Sequence, residues 1–194
     1  IDAKSAFWKD FKNIYLDNIY YGDQYTWMDF GRWKLAELTF YWKQSQNKEL
    51  ISQSIDEIIY KIECLFKKKK YDAIAIIPWS IERKNQLLKF LKNRLKDKGI
   101  SFVNILKYYS NWIPIPQKTL KTREQRILNA KNTIFIDDKN ITKYKNILLI
   151  DDFVWSWSTL NESAKKFKDL WIKNVDWLAF VWNLNLSYDI INEI

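Results

Sequence analysis

Between residues 47 and 69 the apolar positions Ile51, Ile55, Ile58, Ile59, Ile62, Leu65 and Phe66 follow the 3.6-residue spacing of a long helix with one buried face. A second helical pattern over 82–98 turns Leu87, Leu88, Leu91 and Leu95 inward and stops at Gly99, a glycine cap. A third, over 160–170, puts Leu160, Ala164, Phe167 and Leu170 on one side, and Thr159 with Glu162 gives a capping-box signature at its start. Short, mainly apolar runs lie between these patterns: 72–77 closed by Pro78, 101–106, 133–136, 147–150 and 175–181. Runs of that length read as strands, buried on both faces where they are wholly apolar. Residues 119–130 read as helix and 108–118, with two prolines, as loop. Strand and helix alternate from Asp72 onward, which predicts an α/β fold, a mostly parallel sheet flanked by helices. Residues 1–45 are aromatic-rich, and 25–30 and 38–42 read as either strand or short helix. The chain thus divides into an N-terminal hood with a long helix, 1–69, and a core, 70–194.

Composition narrows the chemistry. A chain of 194 residues suits one domain with a small appendage. It has no histidine and one cysteine, Cys64, which excludes histidine-based triads, histidine-ligated metals, a disulfide framework and a cysteine zinc site. No apolar run has the ~18 residues a membrane span needs, and no signal-peptide pattern opens the chain, so a cytoplasmic location without a membrane partner is expected. The first residue is Ile1, so a few residues are expected ahead of it. The net charge of +9 suits a polyanion, either nucleic acid or a phosphorylated small molecule. A general enrichment in Lys, Ile and Asn accounts for the charge more simply, so nucleic acid is not the favoured partner. Lys67 to Lys70 read as a solvated helix end.

The segment 147–160 carries the clearest chemistry. Four apolar residues run into Asp151 and Asp152, then Phe153, Val154, Trp155, Ser156, Trp157, Ser158 and Thr159 lead into the helix. In a parallel sheet the two acids fall at the carboxyl end of a strand, where ligands bind. The hydroxyl residues fall at a helix N-terminus, where free N–H groups favour phosphate. Carboxylates beside a phosphate cradle suit a sugar phosphate, whose hydroxyls donate to the acids. A surface turn with two incidental acids is the plainer alternative.

This segment resembles the phosphoribosyl pyrophosphate (PRPP) motif of type I phosphoribosyltransferases. Two flanking stretches resemble the family as well. Ile76-Ile77-Pro78-Trp79-Ser80 stands where the pyrophosphate loop stands. Pro116-Gln117-Lys118-Thr119-Leu120 with Arg123, Arg126 and Asn129 is similar to a stretch of ComF-like members. The resemblance covers about residues 70–183 and makes the core a phosphoribosyltransferase core. It is looser at Phe40-Tyr41-Trp42-Lys43, and the ComF zinc cysteines are absent. It implies that Asp151 and Asp152 bind the ribose hydroxyls and that Trp155, Ser156, Trp157, Ser158 and Thr159 surround the 5′-phosphate. Pro78, Trp79 and Ser80 would meet the pyrophosphate, and the loop with Gln117 would form a flexible lid followed by Arg123. Mg²⁺ is the implied cofactor, carried by the substrate near Asp151 and Asp152 with no direct protein ligand. The implied activity is phosphoribosyl transfer from PRPP to an unidentified small-molecule acceptor with release of pyrophosphate, in nucleotide metabolism. The alternatives are a non-catalytic PRPP-binding regulator and a DNA-uptake accessory protein. A homodimer is common in the family.

Eleven tryptophans and three glycines make an abnormal pair; together they approximate the ~7% usual for glycine alone. Trp79, Trp155 and Trp157 stand where the family has small residues, and Trp171 follows a helix where a left-handed glycine is favoured. The expectation is that UGA codons meaning glycine have been read as tryptophan. A Trp-rich protein with an obstructed phosphate loop is the alternative.

Overall fold

The computed structural model describes residues 13–24, 34–78, 87–109, 115, 119–153 and 157–182. Among these the chain runs β1 (Asn18–Gln24), α1 (Lys34–Ser45), α2 (Lys48–Lys68), β2 (Ala73–Ile76), α3 (Leu87–Lys96), β3 (Phe102–Val103), β4 (Ile105–Lys107), α4 (Arg123–Thr133), β5 (Ile134–Ile136), β6 (Asn146–Phe153), α5 (Trp157–Asp169) and β7 (Asn174–Trp182). Five strands form one sheet in the order β1-β7-β6-β2-β3, with every neighbouring pair parallel. The fold is therefore α/β with a mostly parallel sheet flanked by helices. The run 101–106, expected as one strand, is divided at the exposed Asn104. Its carbonyl accepts from the Asp137 amide at 2.9 Å, and β4 leaves the main sheet to pair antiparallel with β5.

Alternation along β6 builds two cores. Ile147 and Leu149 pack with Leu160, Ala164 and Phe167 of α5 and Ala130 of α4. Leu148 and Ile150 pack on the other face with Ile55, Ile58 and Ile62 of α2 and Leu87, Leu91 and Leu95 of α3. All four β6 residues are fully buried, which is why the run carries no polar interruption. The stretch 38–42 proves helical: α1 buries Leu35, Ala36, Thr39 and Trp42 at one-turn intervals. Residues before 70 thus add an edge strand and two helices to the same layers as the residues after it. Gly22 of β1 permits this close approach, since a Cβ there would lie 2.7 Å from the Phe180 carbonyl oxygen and 2.8 Å from Leu35 Cδ2.

Four local expectations are corrected. Leu170, expected inward, is exposed because α5 has ended at Asp169. The Thr159–Glu162 capping box does not form, because α5 begins at Trp157 and Thr159 is already helical. A capping box does form at Thr122 and Gln125, where α4 begins later than the expected residue 119. In the run 67–70, Lys69 turns inward rather than into solvent. Its Nζ donates to the fully buried Asp176 Oδ2 at 2.8 Å, and that carboxylate also accepts from Tyr71 Oη at 2.5 Å and Asn18 Nδ2 at 2.9 Å. Burial, and then the bond to Asp176, push the Tyr71 phenol up, so it remains a donor.

Candidate functional site

Asp151 and Asp152 stand at the carboxyl end of β6, between β2 and β7. The neighbouring strand β2 ends level with them: Ile76 pairs with Ile150, and the Ile77 amide donates to the Ile150 carbonyl at 3.0 Å. After β2 the chain leads to α3 on one face of the sheet; after β6 it leads to α5 on the other. Connections that diverge from adjacent parallel strands open a crevice at the sheet edge, the usual ligand position in such folds. Pro78 follows the end of β2, half-buried.

Strand alternation separates the two acids. Asp152 continues the face of Leu148 and Ile150, beneath α1, and its Oδ2 lies 3.1 Å from Lys43 Nζ. The two side chains are only 24% and 21% exposed, so solvent screens this pair less than a surface one. Asp151 continues the opposite face, and its Oδ1 accepts the Asp152 amide at 2.8 Å. Burial first, and the neighbouring Asp152 charge second, push the Asp151 carboxyl well above its ordinary range; the Asp152 amide and Lys43 oppose this. Lys107, at the end of β4, senses Asp151 electrostatically, while burial pulls its ammonium downward. Two cations from opposite layers thus attend one acid pair.

The expected phosphate-side residues fall in different settings. Trp157, Ser158 and Thr159 form the first turn of α5 and are all buried. Trp157 is not in a left-handed conformation; its ring packs edge-on against Trp177, with centroids 5.7 Å apart at 80°. The indole at 157 thus fills core space, and the helical backbone there makes no demand for glycine or against it. Trp171 is different. Its φ is +64°, its side chain is 93% exposed, its amide donates to Lys168 O at 3.0 Å, and the Ile172 amide donates to Phe167 O at 3.1 Å. Gly99 closes α3 with φ +75° and the same two bonds, to Lys96 O at 2.9 Å and from Ile100 to Leu95 O at 3.4 Å. Arg123 opens α4 behind its Thr122 cap. Trp79, Ser80, Gln117, Trp155 and Ser156 lie outside the described residues, as do 25–30.

Lys43 and Lys107 escaped the sequence reading as members of the site. The phrase Phe40-Tyr41-Trp42-Lys43 marked only a loose likeness, and nothing local distinguishes these lysines from the many others. Among the described residues no three His, Cys, Asp or Glu side chains gather as a metal cage, and no helix is long and apolar enough to cross a membrane. A separate cavity of about 530 Å³, lined by Tyr20, Tyr60, Lys61, Cys64 and Lys68 among others, includes neither acid.

The fold is an α/β domain with an acid pair at the carboxyl end of β6, beside a strand whose connection leads to the opposite face. No family model, curated protein or solved structure matches the chain.

Proposed function

We propose that the chain binds PRPP with Mg²⁺ and transfers its phosphoribosyl group to a small-molecule acceptor, releasing pyrophosphate. The observation that carries this reading is the acid pair at the diverging edge of β6 and β2, directly before α5. Asp151 and Asp152 would accept the ribose hydroxyls, and the first-turn amides of α5, which lack helical partners, would face the 5′-phosphate. The segment starting at Pro78 would meet the pyrophosphate. Bound Mg²⁺ would offset charge on the pyrophosphate as it leaves the anomeric carbon. The protein's part is to hold the sugar in place and to exclude water. The same reading puts glycine at 79, 155, 157 and 171; of these, Trp171 carries the direct backbone support.

The test compares the tryptophan-bearing chain with one bearing glycine at those four positions. At ~100 times Kd, PRPP with Mg²⁺ should stabilise the glycine version by about 2.7 kcal/mol, read as a higher melting temperature. Asp152→Asn should remove the rise and Lys68→Ala should not. No shift at saturating ligand would remove the site assignment. Pyrophosphate release across a panel of nucleobases and amines then separates an enzyme from a PRPP-binding regulator.

A further inference from the structure

The ion pair between α1 and β6 joins residues that the sequence reading assigned to separate parts of the chain. Lys43 lies in the last turn of α1, where a cation is favoured by the helix dipole. The turn is fixed from below, because Trp42 is 2% exposed and Thr39, one turn earlier, is also buried. The Lys43 ammonium sits 5.7 Å from the Trp42 ring centroid and 3.1 Å from Asp152 Oδ2. Its place is thus set by the core layer of α1 and α2, not by the flexible reach of a surface lysine. On the opposite face Asp151 Oδ1 accepts the Asp152 amide, which holds that carboxylate against the β6 backbone.

We propose that Lys43 is a positioning residue for the acid pair: it fixes the Asp152 carboxylate as a charged hydroxyl acceptor at the carboxyl edge of β6, and thereby gives the site its preference for a vicinal diol. The inference rests on the sugar-phosphate reading of the site and deepens it. Two neighbouring carboxylates repel, and each hydroxyl bond they accept is stronger when the acceptor is ionised. A cation held at Asp152 by α1 supplies that charge balance. Docking of α1 on α2 and the sheet is then a condition for diol recognition, and the N-terminal helices belong to the site.

Lys43→Met and Lys43→Arg, both made in the chain bearing glycine at 79, 155, 157 and 171, are compared with that chain otherwise unaltered by titration calorimetry, using ribose 5-phosphate and its 2-deoxy and 3-deoxy counterparts, with circular dichroism to establish folding. The unaltered chain should favour ribose 5-phosphate over both deoxy sugars. Lys43→Met should cut at least one of these preferences about tenfold, the difference between a charged and a weakened acceptor, and leave the deoxy sugars bound as before. Lys43→Arg should retain the preference, because the cation is kept. A purely structural lysine would weaken all three sugars alike, and that result would overturn the inference. So would preferences in Lys43→Met equal to those of the unaltered chain. If the unaltered chain binds none of the sugars and no PRPP, the sugar-phosphate reading itself falls and takes the inference with it.

Discussion

Trp171 holds a left-handed backbone with its indole almost wholly in solvent, so no packing offsets the conformation. A side-chain-bearing residue in that region costs about 1–2 kcal/mol relative to glycine. Trp171→Gly should therefore stabilise the protein by about 1 kcal/mol, raising the melting temperature by roughly 2–4 °C in a chain of this size. A lower melting temperature would count against glycine at 171, and a UGG codon there would sink the recoding. The sequence reading treated Trp157 and Trp171 alike. Position 171 was legible because a helix end, a break and a following strand together specify a left-handed turn. Position 157 was not, because its demand depends on what packs beside it, and that is Trp177 of β7.

At the level of elements, period and length were enough to read α2, α3, α5, β2, β6 and β7 from the chain. Cap positions and partners were less readable. Thr159 and Glu162 have the spacing of a capping box, yet Trp157 and Ser158 find burial by extending the helix toward β6. Lys69 looks like its neighbours in the run 67–70 but is drawn to a carboxylate more than a hundred residues away. Lys69→Met should expose the consequence. Asp176 would keep its Tyr71 and Asn18 donors but lose its countercharge in a fully buried position, and breaking such a pair costs about 3 kcal/mol. Chemical denaturation should show that loss with an unchanged denaturant slope; a change within about 0.5 kcal/mol, the range of ordinary surface substitutions, would mean the ion pair contributes nothing net.

Across the whole molecule, the acid pair sets stability against binding. Because Asp151's folded value is raised, its contribution favours the fold while the carboxyl is protonated, below the ordinary carboxylate range of ~3.9. That contribution fades as pH rises through the raised value. Asp151→Asn, which cannot ionise, should be more stable than the unaltered chain near pH 7, with the gap narrowing as pH falls, while PRPP binding is lost. Melting curves from pH 4 to 8 check the sign; a variant less stable at pH 7 would mean Asp151 is held as a favourable anion. The sequence by itself determined the alternation of strands and helices, the four-residue apolar run of β6 and the two acids at its end, because these depend on near neighbours and on periodicity. Only the tertiary structure decided that β6 and β2 diverge at that edge, that the acids face opposite layers, and that Lys43 and Lys107 attend them. Those relations join residues far apart in the chain, and the packing of helices on a twisted parallel sheet brings them together.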